Sequence, residues 1–442
     1  MTVDPMPPPL PVRSVLDLPL VDGALPLAIS VAGVVAAVFL AWPRGRRWHR
    51  PAALVVAGAA LVPAVAAVVL NVLWRPTPDV LPARLFVWSG VALAAVLAGA
   101  VAARRGRRMT RLFVVPAVLL VLATSGVKVN AIYGYYPTPR PLLGLADPNA
   151  LDPARVPHRT GTAVAPVRWV PPPDLPARGA VLDLRVPAPV SGFAARPAVV
   201  YLPPAALVAG APRLPVLVLI AGQPGGPRDW LTAGRLAAVL DVFAASHHGL
   251  APVVVVPDAT GGTFANPLCV DSPRGAVETY LRRDVPDWIR ARFDVDPDPR
   301  HWTIGGFSYG GTCALQLAVR APEVYPALLD VGGQDEPSLG TRAETVRALF
   351  GGDDARFRAV NPADLLRTRR YDGVSGTVVV GSAEGDDVGR AARLVDLARS
   401  SGMQVRHLVL PGGHSWAVAT AALQLTLPDL AARTGLLPTA PR

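Results

Sequence analysis

Charge is scarce in this sequence, and lysine is nearly missing from it. Only 17% of the 442 residues are charged while 51% are hydrophobic, which excludes disorder and coiled coil as the main state. The same balance is too apolar for a soluble chain of this length, so part of it is expected in lipid. Lysine supplies one of the 43 basic residues, Lys128, a bias toward arginine that reads as codon usage and carries no function. Cysteine is confined to Cys269 and Cys313; with no His or Cys cluster at ligand spacing, a metal centre is not expected. Internal repeats and low-complexity tracts are absent from the part after about Ala180 as well.

What charge there is has an uneven distribution. The net charge of +11 resembles a nucleic-acid signal, yet residues 1–111 hold 12 Arg against 4 Asp and the remainder is nearly balanced. The excess belongs to short loops between apolar runs, which argues against a polyanion partner. Those runs are Ala24–Trp42, Ala52–Trp74, Leu85–Ala103 and Leu112 to about Val127, each near the ~20 residues that cross a bilayer as a helix. The first lacks the basic flank of a signal peptide, having Asp17 and Asp22 before it, so it is expected to be retained. Arg44, Arg46, Arg47 and Arg50 crowd one loop, and Arg104, Arg105, Arg107, Arg108 and Arg111 another. The loop between carries Arg75, Arg84 and Asp79, so the positive-inside rule puts the two Arg-rich loops in the cytoplasm and everything after Asn130 outside. No ionisable residue lies inside a span, which argues against an ion pathway.

Residues 1–130 are therefore expected to form a domain of about four transmembrane helices, and 131–178 a proline-rich tether with Tyr-Pro-Thr-Pro-Arg-Pro at 136–141 and Val-Pro-Pro-Pro at 170–173. Residues 179–435 form the remaining domain. Short apolar strands are predicted at Val181–Val186, Ala198–Leu202, Val216–Ala221, Pro252–Pro257, Trp302–Gly306, Ala327–Gly332, Gly376–Gly381 and Val405–Leu410. Helices are predicted between them, notably Arg235–Ser246, Ala276–Phe293, Tyr309–Arg320 and Val388–Ser400. Strands alternating with helices predict an α/β fold built on a doubly wound, mostly parallel sheet.

The chemistry-bearing motif is Gly306-Phe307-Ser308-Tyr309-Gly310, set between a predicted strand and a predicted helix. A sharp strand-to-helix turn with small flanking residues lifts a serine hydroxyl above the sheet edge, as a nucleophile requires. A serine needs a base, usually histidine. His49, His158, His247, His248, His301 and His407 fall in loops, helix ends or strands, whereas His414 follows the last strand, at the sheet edge where such folds place their sites. The acid that orients it is expected after the penultimate strand, where Glu384, Asp386 and Asp387 compete; Glu384 comes soonest and is favoured, and the others suit a helix N-terminus. Two backbone N–H groups should face the developing oxyanion, one from Tyr309 and one from the turn Gly222–Gly226, with Gln223 the best donor because Pro224 has none.

Taken in order, several segments resemble the putative-esterase family of α/β-hydrolases, which includes esterase D-like enzymes and secreted mycolyltransferases. They are Ala-Gly-Gln-Pro-Gly at 221–225, Val-Val-Val-Val-Pro-Asp-Ala at 253–259, Cys-Val-Asp-Ser at 269–272, Glu-Thr-Tyr-Leu-Arg-Arg-Asp-Val-Pro-Asp-Trp-Ile at 278–289, Ile-Gly-Gly-Phe-Ser-Tyr-Gly-Gly at 304–311 and Pro-Gly-Gly-His-Ser-Trp at 411–416. The resemblance spans about 181–427 and implies an α/β-hydrolase fold with ester hydrolysis or acyl transfer through a seryl acyl-enzyme, without metal or cofactor. Members differ in the acid and its loop, and the simplest secreted ones lack the membrane segment.

The expected protein is thus a multi-pass cell-membrane esterase whose catalytic domain is extracytoplasmic. Its expected partners are the lipid bilayer and a lipid-linked or cell-envelope ester. An acyltransferase using the same triad and a catalytically silent, membrane-held binding module are the rival expectations. Cys269 and Cys313 could pair in an oxidising compartment or remain two buried thiols.

Overall fold

A computed structural model describes residues 14–42, 49–74, 80–105, 108–155 and 165–437. Arg44, Arg46, Arg47, Arg75, Asp79, Arg107 and His158, on which part of the sequence reading rests, lie outside the described residues. The chain divides into two compact units, Met1–Ala146 and Asp147–Arg442.

The first unit is helical. Helix α1 covers Ala24–Ala41, α2 His49–Val68 with a π-helical continuation through Trp74, α3 Ala83–Arg105 and α4 Arg108–Tyr133. All four are long and apolar enough to cross a membrane. Small residues let them pack closely: a Cβ on Gly33 of α1 would collide with Thr124 of α4, and one on Gly99 of α3 with Val118 of α4. Thr124 also donates to the carbonyl of Ile29 at 2.9 Å, a helix-to-helix bond of the kind apolar surroundings favour. The predicted end of the fourth run near Val127 falls short, because the helix continues through Lys128 to Tyr133. A single long-chained cation does not break i→i−4 bonding.

In the second unit eight strands make one sheet: β1 Ala180–Leu184, β2 Ala198–Leu202, β3 Val216–Ile220, β4 Val253–Val256, β5 Trp302–Phe307, β6 Ala327–Val331, β7 Ser375–Gly381 and β8 Gln404–Leu410. Their order is β1-β2-β4-β3-β5-β6-β7-β8. β1 and β2 pair antiparallel, as do β2 and β4; every other pairing is parallel. Strands covered on both faces need apolar side chains at every position, and β2, β3, β4 and β6 are buried throughout. The covering helices include α5 Leu236–Ala245, α6 Tyr309–Arg320, α7 Asp386–Ser400 and α8 Trp416–Arg433. Residues 277–292 are helical with a π turn at Tyr280–Asp284.

The chain leaves β3 for β4 on one side and returns to β5 on the other. That reversal opens a crevice at the carboxyl ends of β3 and β5, where doubly wound sheets bind ligands. The proline-rich stretch from Asp147 onward also belongs to this unit: at the Ala150–Val181 bridge the Leu151 N–H donates to the Val181 carbonyl and the Val181 N–H to the Asn149 carbonyl, and Asn149 donates to Asp241 and to the Gly179 carbonyl. Part of the predicted tether thus lies along β1.

Candidate active site

Ser308 stands between β5 and α6 with φ 58° and ψ −120°, a conformation few non-glycine residues adopt and one that marks functional turns. The turn is possible because its flanks have no side chains. A Cβ on Gly306 would lie 2.2 Å from the Gly310 carbonyl carbon, and one on Gly310 would lie 2.0 Å from the Ile220 oxygen of β3. The serine's own N–H donates to the Val331 carbonyl at 2.8 Å, tying the elbow to β6. Tyr309 is the first residue of α6, so its N–H has no acceptor within the helix. Its phenol is fixed beneath, donating to the Ala259 carbonyl and accepting from the Cys269 N–H, both at 3.0 Å.

The turn after β3 runs beside this elbow. A Cβ on Gly222 would sit 3.4 Å from the Cβ of Ser308, which puts the Gly222–Gln223 backbone next to the hydroxyl-bearing residue. The Gln223 side chain points the other way along the turn, donating to the Phe264 carbonyl at 3.1 Å.

His414 follows β8 on the glycine turn, and its Nδ1 lies 2.8 Å from Oε2 of Glu384. A carboxylate only accepts, so Nδ1 carries the proton and the basic lone pair is left on Nε2. The side chain of Glu384 is buried and that of His414 partly exposed. The second oxygen of Glu384 accepts the Gly381 N–H at 2.5 Å, which locks the carboxylate to the end of β7. The imidazole stacks on Phe307, the residue before Ser308, with ring centres 4.7 Å apart. Phe307 in turn packs on Trp416, and Trp416 meets Trp230 edge to face.

Of the competing acids, Asp386 and Asp387 occupy the first turn of α7, where carboxylates complement the helix dipole, and Asp387 pairs with Arg390. Elsewhere, His247 bonds the Phe243 carbonyl and His301 pairs with Asp296. Among the described residues no three His, Cys, Asp or Glu side chains converge as a metal-holding group. Cys269 and Cys313 are joined, their Cα atoms 5.5 Å apart, so the loop after β4 is fastened to α6 behind Ser308.

Three features of the site lack a signal in the sequence. Gly332, after β6, has φ 61° and faces the imidazole. Asp330 is fully buried on β6, with one oxygen accepting from the Gly333 N–H at 2.9 Å; burial, reinforced by the charge of Glu384, pushes its carboxyl up to about 7. Arg196, in the β1–β2 connection, grips Asp258 and the turn after β3. Burial alone would raise the Asp258 carboxyl, but hydrogen bonds and charge from Arg196 outweigh it and hold the acid below the usual range.

Comparison with known proteins bears on the fold and the family. A Corynebacterium glutamicum protein described as uncharacterized is 38% identical over 433 residues, covering 94% of this chain and 98% of its own. A ferulic acid esterase structure superposes with a TM-score of 0.51 at 20% identity, covering 60% of this chain and all of the other, which speaks for the fold. An S-formylglutathione hydrolase from Agrobacterium tumefaciens gives 0.48 at 19% identity, covering 58% of this chain and 95% of the other. Residues 194–430 match the family described as "Putative esterase", a stretch of more than half the chain that contains the elbow, the histidine turn and the turn after β3. This chain belongs to that family.

Proposed function

We propose that the protein is a membrane-anchored serine carboxylesterase acting on an ester of a lipid or envelope component. The Ser308 oxygen attacks the ester carbonyl while Nε2 of His414 takes its proton, and a tetrahedral oxyanion forms. The N–H groups of Tyr309 and Gln223 receive that charge. Collapse breaks the bond to the alcohol, which leaves with the proton from His414. Water then attacks the acyl-enzyme with His414 again as base, releasing the acid and restoring Ser308. Glu384 holds the imidazole in the productive tautomer throughout.

The observation that carries this reading is the 2.8 Å pair of His414 and Glu384, set against the ring next to a serine in a strained turn. The bilayer placement draws on the four apolar helices, the fourth of which runs uninterrupted from Thr110 to Tyr133. With four crossings the catalytic unit lies opposite the Arg-rich loops, hence outside the cytoplasm.

The test is labelling of intact cells with a membrane-impermeant fluorophosphonate, comparing Ser308→Ala. Labelling of the wild type alone supports both the activated serine and its outward placement. Labelling only after lysis would reverse the placement, and none under either condition would remove the esterase reading. Product analysis with added sugar or lipid hydroxyls then separates hydrolysis from acyl transfer, since the same triad serves both.

A further inference from the structure

The turn expected to hold the oxyanion has no regular structure, so something else must fix the direction of its N–H groups. Two buried carboxylates and one guanidinium bond to it or to each other beside it. Arg196 spans three segments that are distant in sequence. Its Nε and Nη2 donate to the two oxygens of Asp258 at 2.9 and 2.8 Å, a fork-to-fork pair, and its own backbone N–H donates to Asp258 as well. Nη2 also reaches the Gly225 carbonyl at 3.0 Å and the Thr260 hydroxyl at 2.8 Å. A Cβ on Gly226 would lie 2.9 Å from Nη1, so the turn is pressed directly on the guanidinium plane.

The turn is secured from its other side too. The Gly225 N–H donates to the Thr263 carbonyl at 2.9 Å, and the Gly226 N–H to Asp229 at 2.8 Å. Asp258 is 1% exposed and accepts from the Thr260 N–H as well, so its orientation is set by burial and three kinds of donor. A bidentate arginine pair of this geometry fixes direction as well as distance. Loss of the grip at Gly225 would let the peptide between Gly222 and Gly225 rotate beside Ser308.

From these contacts we infer that Arg196 is a positioning residue for the oxyanion turn, acting through Gly225 on the N–H of Gln223 and held in place by Asp258 and Thr260. It touches neither substrate nor reacting atoms. The inference rests on the esterase reading above, and it assigns Arg196 an effect on the transition state that a purely structural ion pair would not have.

The experiment uses the full chain in detergent micelles. It measures kcat and KM for p-nitrophenyl butyrate and the inhibition constant of an alkyl trifluoromethyl ketone, which adds to an activated serine as a tetrahedral oxyanion. The variants are Thr260→Val, Arg196→Lys and Arg196→Met combined with Asp258→Asn, the last removing both charges so that neither is left buried alone. Expected is a graded fall in kcat, smallest for Thr260→Val and roughly 10- to 100-fold for the Arg196 variants, with KM within about twofold and the ketone constant rising by the same factor as KM/kcat. Activity that tracks only the folded fraction, with the ketone constant unchanged, would overturn the proposal. A wild type that binds the ketone but whose Arg196→Lys form loses affinity for substrate and ketone alike through KM would also overturn it. A wild type inert to both compounds would overturn the esterase reading itself, and the inference with it.

Discussion

Gly332 lies against the imidazole of His414: a Cβ built on it would come 2.9 Å from Cε1 and 3.0 Å from Nδ1. The end of β6 therefore packs against the edge of the ring that bonds Glu384, since the same Cβ would come 3.6 Å from Oε2 of Glu384. Gly332→Ala should cost about 1–2 kcal/mol for the left-handed backbone alone, and should in addition lower kcat by displacing the ring. Gly351→Ala is the control, because Gly351 has φ 63° and nothing within reach of a Cβ. Both variants should lose the backbone share of stability in thermal unfolding, Gly332→Ala somewhat more because its Cβ also meets the ring, and only Gly332→Ala should lose ester turnover.

Removal of the acid separates the three candidates. Glu384→Gln should reduce kcat about 10³- to 10⁴-fold while leaving KM nearly unchanged, since the tautomer and orientation of His414 are lost but the binding surface is not. Asp386→Asn and Asp387→Asn should stay within about twofold, with a loss of at most ~1 kcal/mol from the helix terminus. A large fall in either aspartate variant with little effect at Glu384 would reassign the acid.

Much of this arrangement can be read from sequence where the deciding forces are local. Ala198–Leu202 and Tyr309–Arg320 coincide with their predicted bounds, and Pro252 and Pro257 frame β4 because proline cannot donate to a ladder. The elbow is legible because its glycines and serine sit in one short run, with Gly306 demanded by Gly310 four residues on. The choice among Glu384, Asp386 and Asp387 was harder, because all share one turn and the contact that distinguishes them is with His414, 30 residues away. Arg196 gave no sign at all, since its partners at Gly225, Asp258 and Thr260 come together only when β2, β3 and β4 are side by side. Proline content hid the pairing of Asn149–Leu151 with β1, because composition says nothing about which backbone groups a nearby sheet edge leaves open.

The buried Asp330 predicts a pH signature. Its carboxyl is raised from an ordinary value near 3.8 to about 7, so between those values the unfolded chain releases a proton that the folded chain keeps. Stability from this group is undiminished below about pH 4, declines as pH rises, and is fully lost above about pH 7. Asp330→Asn should therefore gain on the wild type by a few kcal/mol between about pH 5 and about pH 8, read as a widening difference in thermal midpoint. A constant difference across that range would mean that the folded carboxyl titrates normally.

The link between Cys269 and Cys313 closes a loop of sequence separation 44, for which loop-closure entropy gives about 4 kcal/mol. Cys269→Ala with Cys313→Ala should lower stability by roughly that amount, and reductant should bring the wild type down to the level of the double variant. Turnover should fall as well in both cases, because the released loop carries Thr263, which braces the turn after β3. A wild type indifferent to reductant would contradict the prediction.

The bridge from Ala150 to Val181 has a consequence for where the molecule can be cut. β1 is the outermost strand of its side of the sheet, and the stretch Asn149–Leu151 occupies part of the row of backbone groups that it would otherwise offer to solvent. A fragment beginning at residue 179 would expose that row, which is a template for pairing with another copy and a route to aggregation. A fragment beginning at Asp147 carries its own cover. The folding unit therefore starts about thirty residues before its first strand, and removal of those residues by proteolysis would turn a covered rim into an adhesive one.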